Sequence, residues 1–355
     1  MWKRISFILA FSLLLCGCLQ KKIIDDVNLV MAIGYDAGED DQIKGTIVAP
    51  EFKKEEAVEN KNMTIQAHLS RDLIAKLQKE SSKPLVYGKL QFALFSEEVA
   101  KNGIAKYIDS LERDASVGSR VILAVSRGEA KELLEIKGGQ EGTAEYFRQL
   151  LNQNMWLENL PIENLQIYLR NYYSEGRDPC LPLLEKKGDH ARIIGLALFQ
   201  NDKMVGEIKN DKLFYFKLLS DTFANGVYTV ALEGGREASI QSIHSSRRVK
   251  IDEQNPFHIT VYLNVEGYIR EYSKGSIQPN VIKEVEKTFE KDIVKNSAAL
   301  VASFKKKKID PIGFGEEIII HTGENIHDKT LRKQLDKLRI DVIADVQITE
   351  TGVVK

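Results

Sequence analysis

Cysteine is scarce in this sequence of 355 residues, which contains three, at Cys16, Cys18 and Cys180. Two of them lie within the first 18 residues, so the rest of the chain holds one thiol, which cannot form an intrachain disulfide. The fold must therefore be stabilised by packing alone. Cys180 follows Asp178 and Pro179 at a predicted turn, where we expect a small buried hydrophobic residue rather than a reactive thiol.

Long apolar runs are absent after residue 17, where no segment approaches the roughly 20 residues that a membrane-spanning helix needs. Excess positive charge is absent too, because the formal net charge is −1, and we expect no nucleic-acid partner. The hydrophobic content of 43% and charged content of 28% are typical of globular proteins. The sequence therefore predicts a soluble body with buried cores.

Motifs for catalysis or metal binding are missing as well. The six histidines form no His-x-x-x-His pair and there is no Cys-x-x-Cys, so we expect no zinc site. His321 and His327 could meet in space, but two separate surface imidazoles are the expectation. Residues 313–315 lack the third glycine of a dinucleotide fingerprint, and the acidic residues 36–41 read as a solvated turn. We expect no enzyme activity, no metal and no cofactor.

The first 18 residues carry the most specific pattern in the chain. Lys3 and Arg4 precede an apolar run of about 11 residues that ends in Leu15-Cys16-Gly17-Cys18. A charged start, a short apolar core and small residues predict a signal peptide over residues 1–17. The last four residues resemble a bacterial lipobox. On that resemblance Cys18 would carry S-diacylglycerol and an N-acyl chain such as palmitate, and residues 18–26 would form a lipidated tether.

The rest of the chain predicts a mixed α/β (α+β) fold in three domains. Residues 27–137 contain five strands between helices, with a continuous strand over 85–95, one helix capped by Ser70 and a second that begins at Ser96 and runs to about residue 111. Residues 138–222 form a small middle domain with a β-hairpin around residues 200–203. These boundaries are expectations from pattern and composition.

Residues 223–355 predict an antiparallel sheet of about four strands, packed with one long helix over residues 279–304. The apolar stripe of this helix recurs at spacings of 3, 4 and 7, at Ile282, Val285, Phe289, Ile293, Leu300 and Phe304. Residues 305–308 are four lysines at its end. We expect these lysines in water, with contact to anionic headgroups as the alternative.

Several segments, in their order and spacing, resemble the C-subunit lipoproteins of spore germinant receptors, the Ger(x)C family. They are Gly17-Cys18 and residues 32–36, 83–90, 94–100, 103–104, 113–114, 130–134, 178–182, 195–199, 202–206 and 310–316. The sequence departs from the family at Leu19-Gln20, where members often carry an aromatic and an acidic residue.

The resemblance implies a receptor subunit and not an enzyme. Such a subunit would be anchored by Cys18 to the outer face of the spore inner membrane and would contact integral membrane A and B subunits. The complex would respond to amino acids, sugars or nucleosides. The alternative is a lipid-anchored solute-binding protein of an uptake system, which would explain the lipobox equally well.

Overall fold

The computed structural model describes residues 26–51, 59–139, 141–157, 160–222, 226–323 and 328–351. The predicted signal peptide, Cys18 and all of the tether except Asp26 lie outside these ranges. Residues 28–209 contain ten of the fourteen described strands, with the bounds β1 Asn28–Leu29, β2 Ala32–Ala37, β3 Ile43–Glu51, β4 Glu59–Ala67, β5 Leu85–Val86, β6 Phe92–Ser96, β7 Ile122–Arg127, β8 Cys180–Lys187, β9 His190–Gln200 and β10 Lys203–Lys209.

Eight of these strands make one sheet in the order β10-β9-β8-β7-β6-β2-β3-β4. The four central strands, β8, β7, β6 and β2, run parallel, and the outer strands pair antiparallel. Strand β6 is buried along its whole length and is apolar up to its last residue, Ser96, as expected for a parallel strand covered on both faces. The short strands β1 and β5 pair with each other beside the start of β2.

Helices cover both faces of this sheet. Their bounds are α1 Ser70–Glu80, α2 Glu97–Asn102, α3 Ala105–Glu112, α4 Ala130–Leu134, α5 Thr143–Leu157, α6 Leu165–Tyr173 and α7 Leu213–Ser220. One face packs against α1, α2, α3 and α6, and the other against α4, α5 and α7. The predicted cap at Ser96 is confirmed, because its side chain accepts a hydrogen bond from Val99 N at 3.2 Å.

Three local predictions within residues 70–111 were wrong. The continuous strand over residues 85–95 is two strands, because a turn closes between Tyr87 and Leu90 with a 2.9 Å backbone bond. The helix after Ser96 is two helices, interrupted at Gly103, whose φ of 114° no helix contains. Ser70 does not cap α1, since its hydroxyl lies 2.7 Å from that of Ser110 instead.

The predicted middle segment contains the expected hairpin, β9 and β10, and also β8, a strand that the sequence did not predict. Residues 176–182 read as a turn because of their glycine and prolines. All three strands continue the sheet of the N-terminal segment. The two boundaries between the three predicted domains therefore stay a prediction, with one sheet extending across the first of them.

The C-terminal segment forms a second sheet in the order β11-β12-β13-β14. Its elements are β11 Gly226–Leu232, β12 Arg236–Ile251, β13 His258–Tyr272, α8 Pro279–Lys307, α9 Phe314–Thr322, α10 Asp328–Gln334 and β14 Arg339–Thr351. Short 3-10 turns lie at Asn210–Lys212, Glu233–Gly235 and Leu335–Lys337. Helix α8 packs on this sheet as predicted, and buries Val285, Phe289, Ile293 and Phe304.

The C-terminal sheet is antiparallel only across β11, β12 and β13, because β14 pairs with β13 in parallel. The prediction of an antiparallel sheet was wrong at this last strand. Helix α8 returns the chain across the sheet, so β14 enters from the same end as β13. A long crossover of this kind is what a parallel pair requires.

Helix α7 joins the two sheets into one continuous apolar core. The Phe214 ring on α7 stacks on Tyr228 of β11 at 5.0 Å between centroids and on Phe289 of α8 at 5.7 Å. Tyr228 and Phe289 also stack, at 4.7 Å. Aromatic pairs of this geometry contribute about 0.5–1.5 kcal/mol each beyond their buried area.

Candidate functional site

Two Asp-Pro segments that mark the family resemblance meet where the two sheets join. Asp178 precedes β8, and Asp310 follows the end of α8, 132 residues later. The backbone N–H of Asp178 donates to the Asp310 carbonyl at 2.9 Å, and Asp310 N–H donates to Asp178 Oδ2 at 2.7 Å. We call this pair of loops, residues 176–179 and 310–316, the aspartate junction.

A buried ion pair completes the Asp178 side of the aspartate junction. Arg332 on α10 donates from Nη2 to Asp178 Oδ1 at 2.8 Å and from Nη1 to Oδ2 at 3.0 Å. The Asp178 residue is only 2% exposed. A two-pronged arginine contact is among the strongest that a carboxylate makes, and here it links α10 to the start of β8.

The carboxylate of Asp310 closes the turn that follows it. Its Oδ1 accepts from Gly313 N at 2.8 Å and its Oδ2 from Gly315 N at 2.7 Å. Burial raises the pKa of Asp310 to about 7, although the two amide donors oppose this by favouring the charged form. The sequence Asp-Pro-Ile-Gly-Phe-Gly is therefore a turn whose backbone amides surround one carboxylate.

The two loops of the aspartate junction are in direct backbone contact. Gly176, with φ of 80°, accepts a 3.1 Å bond from Glu316 N, and a Cβ at Gly176 would lie 2.6 Å from the Gly315 carbonyl carbon. Arg177 Nη1 lies 3.3 Å from Glu316 Oε2. Only a residue without a side chain fits at Gly176, for steric and conformational reasons together.

A cavity of about 380 Å³ lies beside the aspartate junction, and we call it the Glu163 cavity. Glu163 is 4% exposed, and its Oε1 accepts from the Cys180 thiol at 3.5 Å. Its Oε2 has no hydrogen-bond partner among the described residues. Burial raises the pKa of Glu163 to about 8 and that of Cys180 as well, so this carboxyl is largely protonated at neutral pH. The wall also contains Arg170, Asn171, Arg177, Phe216 and Pro311.

A second pair of resemblance segments meets at the opposite ends of the parallel strands. Asp36, at the end of β2, accepts from Ala130 N at 2.6 Å and from Lys131 N at 2.9 Å, at the start of α4. Burial raises the pKa of Asp36. The prediction of a solvated turn was wrong for this residue, because the turn is exposed only after it. Gly34 allows Leu134 to pack directly on the strand.

Other residues singled out in the sequence have these positions. Cys18 lies outside the described residues, as does His327, while His321 is exposed on α9. Cys180 is buried as expected, at the first position of a strand. Lys305 and Lys307 donate to the backbone carbonyls of Leu338 and Val205 at 2.7 and 3.2 Å, so part of the lysine run binds protein instead of water.

The roles of Glu163 and Arg332 were missed by sequence reasoning. Glu163 lies among polar residues that predict a helix start, and Arg332 lies among charged residues typical of a solvated helix. The signal that the sequence offers for this site is the presence of the two Asp-Pro segments, at residues 178–179 and 310–311. Within the part of the chain that the structure describes, no cluster of three His, Cys, Asp or Glu side chains could hold a metal, and no helix is long and apolar enough to cross a bilayer.

Comparison with known proteins gives a consistent result. Residues 20–186 match the family described as the spore germination protein N-terminal domain, and residues 194–352 match the spore germination B3/GerAC-like C-terminal family. The chain is 32% identical to spore germination protein GerQC of Bacillus cereus over 99% of both chains. It is 24% identical to spore germination protein KC of Bacillus subtilis, with 96% of this chain and 93% of the relative covered.

The fold is similar to the crystal structure of the GerBC protein. The TM-score is 0.61 at 14% identity, with 90% of this chain and 97% of the other covered. None of these comparisons favours the solute-binding alternative, and the family relationship supports the expectation that the chain is not an enzyme. The chain belongs to the GerAC-like family of spore germination proteins, the C subunits of germinant receptors.

Proposed function

We propose that this protein is the lipid-anchored C subunit of a nutrient germinant receptor and acts through protein contacts at the membrane. The observation that carries the proposal is the full-length relationship to a spore germination protein, in a chain whose residues 1–17 predict a signal peptide and whose residues 15–18 resemble a lipobox. The partners would be the integral membrane A and B subunits, on the outer face of the spore inner membrane.

Anchoring gives this subunit a physical advantage that its folded body lacks. Two or three acyl chains hold a protein stably at a bilayer, where one chain binds only marginally. Confinement to the surface also raises the effective concentration of the subunit near membrane partners. Weak contacts between folded surfaces are then sufficient to maintain a complex.

The proposal is tested by capture of the tagged protein from detergent-solubilised spore membranes, followed by mass spectrometry. We expect a multi-spanning receptor subunit and a permease-like subunit to co-purify. Recovery of the protein alone, or with the ATPase and permease of an uptake system, would contradict the proposal.

A matched pair of cysteine variants tests the anchor itself. Cys18→Ala removes the acylated thiol, so we expect the protein to leave the membrane fraction and nutrient-triggered germination to be lost. Cys16→Ala leaves a small residue two positions before Cys18 and should behave as wild type. Full germination with a soluble Cys18→Ala protein would show that anchoring is not required.

A further inference from the structure

The parallel strands β2, β6 and β7 start at the same edge of the large sheet. The first described residue of the chain, Asp26, lies close to this edge in sequence. Gln91 N donates to Met31 O at 2.9 Å and Ile122 N donates to Gln91 O at 2.9 Å. These two bonds align the first residues of β2, β6 and β7 side by side. Leu165 N continues the row by donating to Val121 O at 2.8 Å. Neighbouring strands are about 4.8 Å apart, so this row spans β2 to β7 in about 10 Å.

The tether begins at this same edge. The first described residue is Asp26, five positions before Met31, and the predicted acylated residue is Cys18. Eight residues reach at most about 29 Å when fully extended. A lipid on Cys18 would therefore keep this edge, where the tether joins the fold, within about 29 Å of the bilayer.

The side chains at this edge suit an anionic lipid surface. The loops over residues 83–91 and 115–121 contain Lys83, Lys89 and Arg120, all exposed, and no acidic residue. The flanking Asp114 accepts hydrogen bonds from the backbone and the hydroxyl of Ser116, at 2.9 and 2.6 Å. Lysine and arginine near a membrane surface each contribute about 1 kcal/mol of attraction to anionic lipids.

An exposed tryptophan stands beside these cations. Trp156, near the end of α5, is 68% exposed, and Ile162 is 42% exposed. Both line a cavity of about 460 Å³ whose other walls include Gln91, Gly118 and Arg120. Tryptophan is enriched at membrane interfaces, because its ring is apolar and its N–H can remain hydrated.

We propose that this edge, which we call the strand-start edge, lies against the anionic headgroups of the bilayer, with Trp156 inserted at the interface. The inference rests on the proposed lipid anchoring through Cys18. A short tether holds the edge at a high local concentration near the surface, so a few weak contacts suffice to fix the orientation of the body. The acyl chains then supply attachment, and the strand-start edge supplies orientation.

The experiment uses the intrinsic fluorescence of the mature lipidated protein. The sequence contains two tryptophans, and Trp2 lies within the predicted signal peptide, so Trp156 is the single reporter after processing. The protein is reconstituted into phosphatidylcholine vesicles with and without phosphatidylglycerol, each prepared with lipids brominated near the headgroup or deep in the acyl chain. We expect a blue-shifted emission and stronger quenching by the shallow bromines, increased by phosphatidylglycerol.

A matched reporter distinguishes the strand-start edge from the rest of the body. His190 is exposed at the first position of β9, beside the end of β8 and therefore at the opposite ends of the parallel strands. In a Trp156→Phe/His190→Trp protein we expect no quenching. Equal quenching at positions 156 and 190, or none at position 156, would overturn the inference.

Charge reversal and flotation complete the design. Lys89→Glu and Arg120→Glu should each weaken the binding of the strand-start edge to vesicles that contain phosphatidylglycerol. The expected loss is at least about fivefold, the equivalent of one lost cation. Vesicle flotation is measured first, because failure to float would contradict the anchoring and the inference together. Flotation with an unquenched Trp156 would overturn the inference alone, as would a blue shift that occurs only when receptor subunits are added, which would assign the edge to protein.

Discussion

Asp178 in the aspartate junction and Glu163 in the neighbouring cavity are buried carboxyl groups with opposite surroundings. Both oxygens of Asp178 are held by Arg332, and one of them also accepts the Asp310 amide. Glu163 has one weak thiol donor and an oxygen without a described partner. A buried charge persists only where it is paired and hydrogen-bonded, and otherwise the group takes up a proton. Pairing therefore decides which of these carboxyl groups can fasten one part of the fold to another.

The largest effect is expected from breaking the ion pair between Asp178 and Arg332. Asp178→Asn removes the charge that faces Arg332 and should lower the free energy of unfolding by about 3 kcal/mol, since it leaves a guanidinium that is only 18% exposed without its counter-ion. Chemical denaturation measures this change. Asp189→Asn is the matched control, because Asp189 is fully exposed and should change stability little. A loss below about 1 kcal/mol for Asp178→Asn would mean that the ion pair does not stabilise the junction.

A smaller loss is expected from separating the two loops without touching a charge. Gly176→Ala places a methyl group 2.6 Å from the Gly315 carbonyl carbon in a residue with φ of 80°. We expect a loss of about 1–3 kcal/mol, measured by thermal or chemical unfolding. Gly139→Ala is the control, since Gly139 also has positive φ but nothing within 4 Å of the added carbon. Equal losses in the two variants would assign the effect to backbone strain alone.

An effect that depends on pH, and that is opposite in sign in alkaline solution, is expected for the unpaired carboxyl group of Glu163. The pKa of Glu163 is raised from 4.5 to about 8, so the folded protein holds a proton across that window which the unfolded chain releases. Stability should therefore fall as pH rises from about 5 to 8, by at most about 1.4 kcal/mol per pH unit from this group. Glu163→Gln keeps the shape without the titration.

The measurement is the free energy of unfolding of wild type and Glu163→Gln at several pH values. Asp310, with its pKa raised to about 7, contributes a slope to both proteins, so the difference between them isolates Glu163. We expect the variant to become the more stable protein towards about pH 8. A constant difference across the range would show that Glu163 titrates normally and that the cavity admits water.

The local sequence pattern predicted most helices and strands of this fold, but it did not predict how distant strands pair. The stripe on α8 and the hairpin β9–β10 follow from periodicity and turn residues, which a sequence displays directly. Strand β8 was missed because it begins among residues typical of turns. The parallel place of β14 depends on a partner more than 60 residues away, which no local pattern encodes.

The candidate site shows the same division between local and distant information. The two Asp-Pro segments were recognised as motifs, but their contact links residues 132 positions apart. The roles of Arg332 and Glu163 could be assigned only from their burial and their hydrogen-bond partners, because a charged residue in a sequence is expected to lie at the solvated surface. Sequence therefore identified the segments of the junction without identifying what they do to each other.

The crossover through α8 has a consequence for the order in which this chain can fold. Strand β13 completes its hydrogen bonding only when β14 arrives, after the 29-residue helix and two shorter ones have been made and placed. Until then β13 presents an open strand edge of the kind that pairs with other chains. Contacts between residues so distant in sequence form slowly, because the intervening chain must first lose conformational entropy. The newly made polypeptide is therefore most prone to aggregate just before its last strand docks, while β13 still presents its open edge.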